Sequence, residues 1–251
     1  MIDLKTYILE TKKISPVDDY KISSTGDYVQ EGFRLGKNKV DIKDYDFVDL
    51  GLPSKTLWCK HNIGATCEDD AKSWYGNYFM WGDTEPADNK ICDWANYKYV
   101  VNGNYNKLTK YCINKNYWGG KGKYDNKSVL DEEDDIASVN MDEYWKMPTK
   151  EQLQELIDNT KAKFVHKYNG ISKLNGILFT SEINGNELFF PAAGFRSGNF
   201  VYYIGSNVNV WSSTVESLAD YAANYLDGDN VDWYISNNNR YLGFSVRGVT
   251  N

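Results

Sequence analysis

Apolar residues along this chain come in short runs closed by Gly, Asn, Asp or Pro, and stretches with a helical period are scarce. Such patterning predicts brief strands joined by tight turns, with few helices. Three of these runs in the last third form a frame: Leu188 to Arg196, Val210 to Thr214, and Gly243 to Arg247. Between them lie tracts rich in Asn, Tyr, Ser, Asp and Gly, the composition of exposed loops held on a buried scaffold. Upstream, Phe47-Val48-Asp49 and Thr56-Leu57-Trp58 read as two strands around a Gly51-Leu52-Pro53 turn. Phe164-Val165, Ile177 to Thr180 and Glu187 to Phe190 read as further short strands. The aromatic run from Tyr75 to Trp81 reads as core packing and not as a ligand platform.

One helix is marked clearly. Thr149 and Gln152 have capping-box spacing after Pro148, Leu153, Leu156 and Ile157 share one face, and Asn159-Thr160 marks the exit. Residues 87 to 127 are dense in Asn, Lys, Tyr and Gly, with Trp94 and Trp118 as anchors; they are either an insertion lining a site or a decorated connection with small strands of its own. Residues 1 to 43 differ from the rest. Leu4, Tyr7 and Ile8 form one apolar stripe, after which Ser15-Pro16, Ser23-Ser24-Thr25-Gly26 and Gly36-Lys37-Asn38 break regular structure. The segment reads as an extended arm whose stripe needs a partner, or alternatively as a strand or tail completing the main core.

Composition narrows the function. A hydrophobic content of 41% with 15% aromatic supports a real core in a chain of 251 residues. A net charge of -7, without a stripe of Lys and Arg, disfavours nucleic acid. The acidic run Asp131 to Asp135 lacks the alternation of a calcium loop and reads as the first turn of a helix. Cys59, Cys67, Cys92 and Cys112 have no CxxC spacing, and His61 and His166 are the only histidines. Reduced structural thiols are therefore expected, with no metal and no cofactor. The start of the chain lacks the pattern of a standard export signal, and no apolar window is long enough to span a bilayer.

Several motifs in order carry a resemblance: Val48-Asp49-Leu50-Gly51-Leu52-Pro53-Ser54 with Thr56-Leu57-Trp58, Asn62-Ile63-Gly64-Ala65, Tyr75-Gly76-Asn77-Tyr78-Phe79 with Trp81-Gly82-Asp83-Thr84-Glu85-Pro86, Trp145-Lys146-Met147-Pro148-Thr149, Pro191-Ala192-Ala193-Gly194-Phe195-Arg196, Trp211-Ser212-Ser213-Thr214 and Gly243-Phe244-Ser245-Val246-Arg247. Together they resemble the major paralogous domain family first described in Fibrobacter and abundant in Bacteroidetes. That family is similar to the C-type-lectin-like fold of formylglycine-generating enzymes and of the variable proteins of diversity-generating retroelements. The pattern departs at Lys55, where Gly is expected, at Lys146, where Arg is usual, and at Gly248, where Pro is usual.

The resemblance implies an α+β, C-type-lectin-like domain over residues 44 to 251, with antiparallel sheets and few helices, preceded by the arm of residues 1 to 43. Without an export signal, such a display domain suits a phage virion, as a head fibre or tail appendage. Its arm, through Leu4, Tyr7 and Ile8, would dock on a capsid or tail protein, and its domain on a host-surface glycan or protein, commonly as a homotrimer. A bacterial surface or secreted adhesin module, or a structural capsid decoration without a receptor, are the competing expectations. Oxidase chemistry of the formylglycine-generating type needs paired thiols late in the fold, and every cysteine here precedes residue 113. No serine, histidine or carboxylate motif points to another reaction, so a non-enzymatic protein is expected. Glu85-Pro86-Ala87-Asp88 also interrupts the calcium-lectin pattern. The expected contact surface is the Tyr, Trp, Asn and Ser mixture of three loops, as in antibody paratopes. It comprises Tyr202, Tyr203, Asn207 and Asn209; Tyr221, Asn224 and Tyr225; and Asp232, Trp233, Tyr234, Asn237, Asn238 and Asn239.

Overall fold

The computed structural model describes residues 46 to 250 except Asp142, together with the backbone of two short strands nearer the N-terminus. The chain divides into two compact units, Met1–Phe47 and Val48–Asn251. In the first, β1 (Tyr20–Ile22) pairs antiparallel with β2 (Tyr28–Gln30). The Ser23-Ser24-Thr25-Gly26 breaker lies between these two strands in the sequence, within the segment read as an arm. Leu4, Tyr7 and Ile8 lie outside the described residues.

The rest is antiparallel sheet with little helix. In chain order come β3 (Phe47–Asp49), β4 (Leu57–Asn62), β5 (Val100–Val101), β6 (Asn104–Leu108), α1 (Ile136–Asn140), α2 (Lys150–Asp158), β7 (Thr160–Val165), β8 (Gly176–Ser181), β9 (Glu187–Pro191), β10 (Phe195–Ser197), β11 (Phe200–Tyr202), β12 (Val208–Val215), β13 (Ala222–Gly228), β14 (Trp233–Asn239) and β15 (Arg247–Thr250). They form three-stranded sheets in the orders β15-β4-β3, β7-β8-β9 and β12-β13-β14, with β5-β6 and β10-β11 as hairpins. Pairing of β4 with β15 joins the beginning and the end of the second unit. Trp58, Leu153, Leu156, Phe179, Phe190 and Leu226 belong to one buried cluster that α2 and all three sheets share.

Local chemistry explains why these segments take these forms. Thr149 accepts from the Gln152 N–H, and the Gln152 side chain accepts from the Thr149 N–H, the reciprocal cap expected of that spacing. Asp135, the last residue of the acidic run, caps α1 through the Ala137 and Ser138 N–H groups and also accepts from Met147 N. The aromatic run is core, as read: Phe79, Met80 and Trp81 are buried. It locks to β12 reciprocally, the Trp81 indole donating to Ser212 O at 2.8 Å and the Trp211 indole to Phe79 O at 2.9 Å. Lys55 stands at φ 61°, a left-handed conformation that explains why glycine suits that position.

Candidate functional site

Sheet β12-β13-β14 carries most of the residues expected to bind, and its register sorts them. Asn209 faces Asp227, which faces Tyr234; Trp211 faces Tyr225, which faces Ser236. Rows near Gly228 lie at the end where the 203–207 turn enters β12 and the 229–232 turn leaves β13. Tyr221 and Asn239 lie at the opposite end.

The middle of the sheet is not a contact surface. Asn209, Asn224 and Tyr225 are buried, which corrects the expectation for all three. Asn224 Nδ2 donates to Val215 O at 3.0 Å, filling a carbonyl freed by the irregularity in β12. Asn209 Nδ2 donates to Asp227 Oδ1 at 3.1 Å and the Tyr225 hydroxyl donates to Asp227 Oδ2 at 2.9 Å, while the Tyr225 ring packs on Trp211 and Phe244. Trp233 is also corrected in part: it is half-buried and packs, with Ile235, against the main cluster. Asn238 and Asn239 are half-buried, and the Asn238 amide oxygen accepts from Asn239 N.

At the first end, Tyr202 and Tyr203 are exposed, Tyr203 at 61%, and both rings lie 5.8 Å from Phe195. Asn207 is half-buried, accepting at its main-chain oxygen from Gly194 N. Tyr234, Asp232 and Asn237 are exposed. Burial pushes the Asp227 carboxyl up, and Asp229 and Asp232 add to the same shift, so this end is acidic. Val201, Ile204 and Gly205 beside it line one wall of an open groove of about 1120 Å³, whose other wall includes Glu68, Asp70 and Lys72.

Tyr221 belongs to a different group, which sequence reading missed. Five partly exposed rings touch in series: Tyr117 and Tyr221 at 6.1 Å between centroids, Tyr221 and Tyr105 at 5.3 Å, Tyr105 and Trp94 at 5.9 Å, Trp94 and Tyr241 at 5.0 Å. Tyr105 is 43% exposed and the other four are half-buried. Tyr105 and Tyr117 come from the 87–127 segment, which does contain a small hairpin, β5-β6. Two buried charged groups hold that segment to the sheet. The Asp220 carboxylate accepts from Asn114 N at 2.8 Å, and the Arg240 guanidinium donates to Tyr111 O at 2.8 Å while lying over the Trp81 ring. Each is the chain neighbour of a ring in the row, Tyr221 or Tyr241, so the anchor and the platform are set together. Asn104, Asn106, Lys107, Lys115 and Asn116, near Tyr105 and Tyr117 in the 87–127 segment, are exposed.

Two arrangements suggest chemistry and are explained by their partners. Asp131, Glu133 and Asp134 bring carboxylate oxygens close enough to hold a cation, but Lys110 Nζ lies among them, at 3.2 Å from Asp131 and 3.0 Å from Glu133, and also pairs with Asp134. Cys67 Sγ lies 3.1 Å from His61 Nδ1. Burial pushes the Cys67 thiol up, against the pull of Arg247, which favours a protonated sulfur over a nucleophilic thiolate.

The acidic cluster gives the fold a defined acid limit. Burial works against ionisation of Asp134, but hydrogen bonds from Lys110, Tyr111, Tyr99 and Lys98 outweigh it and hold the carboxyl well below the usual range. A carboxyl lowered in the folded state contributes stability that is complete above its unfolded value, about 4, and that fades as pH falls toward the folded value. Urea unfolding of wild type and Asp134→Asn at neutral pH and near pH 3 is expected to give a gap that narrows in acid. A gap independent of pH would show that the carboxylate charge is not what matters there.

No family model, curated protein or solved structure matches this chain.

Proposed function

We propose that this chain is a non-enzymatic binding module of a virion fibre or appendage. Its second unit is a C-type-lectin-like domain that takes a host-surface glycan, and residues 1 to 43 attach it to a capsid or tail protein. The aromatic row carries the reading: Tyr117, Tyr221, Tyr105, Trp94 and Tyr241 offer a chain of rings on a rigid base, in a segment that also exposes Asn and Lys residues. Flat rings pack against the apolar faces of sugars while nearby amides bond their hydroxyls, and pre-positioning by Asp220 and Arg240 lowers the ordering cost of binding. The antiparallel architecture, in which the last strand, β15, pairs with β4 near the beginning of the unit, supports the lectin-like assignment, as do the ordered motifs at its strand junctions. The protonated state favoured for Cys67 and the ammonium-filled acidic cluster both favour binding over chemistry.

The test is glycan-array and host-cell binding by the full chain and by the double variant Tyr105→Ala, Tyr221→Ala. Loss of two platform rings is expected to weaken binding by at least about tenfold, roughly 1.4 kcal/mol, with the circular-dichroism spectrum unchanged. Undiminished binding by a folded double variant would refute the role of the row.

A further inference from the structure

Among the described residues no strand pairs with the outer edge of β14, and the phase of that edge can be assigned. Asp229 N donates to Asp232 O at one end of the β13-β14 ladder, and Arg240 N donates to Tyr221 O at the other. Hydrogen-bonded pairs alternate in an antiparallel ladder. With Asp227 opposite Tyr234 and Tyr225 opposite Ser236, the residues turned toward β13 are Tyr234, Ser236 and Asn238. Trp233, Ile235 and Asn237 therefore turn their N–H and C=O groups outward. Among the described residues those six groups have no partner, whereas Asn239, the next in phase, is satisfied by the Asn238 side chain and by Leu242 N.

Natural sheets guard such an edge with lysine, proline or a bulge. Trp233–Asn239 has none of these: it carries no charge and no proline, and its register with β13 is unbroken. We propose that β14 is the seam through which two copies of this chain pair, antiparallel, about a twofold axis at Ile235. In that register Trp233 bonds to Asn237 of the second copy, Ile235 to its own equivalent and Asn237 to the second Trp233. It is the only self-pairing that satisfies all six groups, because a shift of one pair either way pushes a group past the open stretch or onto Asn239. The same register places no acid against an acid: Asp232 meets Asn238, and Tyr234 meets Ser236. Pairing joins two three-stranded sheets into one of six and extends the packing around Trp233 and Ile235. Because the contact is isologous, it closes at two copies, so a trimer would have to be built on another surface. This pairing does not depend on what the domain binds.

The test combines sedimentation of the full chain across a concentration series with amide hydrogen exchange. The wild type is expected to sediment as a dimer, with the Trp233, Ile235 and Asn237 amides exchanging roughly tenfold or more slowly when concentrated than when dilute. Asn237→Pro removes an outward N–H and leaves the ladder to β13 intact, so it should be a folded monomer. Should that variant fail to fold, Asn237→Lys, which spares the backbone and puts a charge in the seam, should be the monomer. A monomeric wild type would overturn the proposal, as would a dimer whose three amides exchange equally fast at all concentrations. Slow exchange of those amides in a monomer would also overturn it, by placing another segment of the same chain on the edge.

Discussion

Replacing Arg247 with alanine is expected to cost about 4 kcal/mol or more, a large part of the stability of a domain of this size. The side chain is fully buried and its donors reach separate parts of the fold: Nε to Asn62 Oδ1 at 2.9 Å, one terminal nitrogen to Lys60 O at 2.7 Å and Cys59 O at 3.1 Å, the other to Phe189 O at 3.0 Å. It thus ties β15 to β4 and β9, and it lies 4.2 Å from the centroid of the Phe190 ring. Its hydrogen-bonding partners are neutral oxygens. Burial pushes its pKa down to about 10, so it keeps its charge at neutral pH. Alanine would leave several buried acceptors unsatisfied around a cavity. Arg247→Lys should recover little, because one compact ammonium cannot reproduce a planar fork reaching two strands. Denaturant titration measures the effect, and a loss below about 1 kcal/mol would mean that the guanidinium is not a tie.

Gly194→Ala is expected to be the next largest loss, about 3 kcal/mol. Gly194 has φ +67°, and a Cβ there would run into the Tyr202 carbonyl oxygen and the Ile204 nitrogen. The same turn is closed by Gly194 N donating to Asn207 O and Gly205 N to Ala192 O. An added methyl would push the exposed Tyr202 and Tyr203 segment off the sheet end. Gly185→Ala is the matched control: its φ is +77°, but the space beside it is open, so only the backbone cost of about 1 kcal/mol applies. Thermal melts of the two variants should differ by several degrees. Equal melting temperatures would show that the close approach at Gly194 is relieved without cost.

Much of the frame was legible because its signals are local. The Thr149 and Gln152 cap, the strand runs before and after Ile183 to Asn186, and the burial of Phe79 and Trp81 each follow from neighbours in sequence. The binding surface was less legible. Asn209, Asn224 and Tyr225 look like loop residues by composition, yet each is buried because a particular oxygen needs a donor: the freed Val215 carbonyl for Asn224, and Asp227 for the other two. Trp233 alternates with exposed Tyr234, and only the strand register reveals that it faces the core. Tyr221 stands out in sequence for its loop composition, but its ring partners Tyr105 and Tyr117 come from a distant segment held by Asp220 and Arg240, a juxtaposition that no linear spacing encodes. The departure at Lys55 was readable in the other direction, since its left-handed backbone is what glycine would have supplied.

Titrating the full chain with host-surface oligosaccharides, while following the ring resonances of Trp94, Tyr105, Tyr117, Tyr221 and Tyr241, tests the binding role of the row most directly. Those five should shift together and saturate with one affinity, while buried Trp81 and Trp211 stay still. Saturable binding that leaves the five unmoved, or that moves only residues lining the groove from Gly64 to Tyr78, would contradict it.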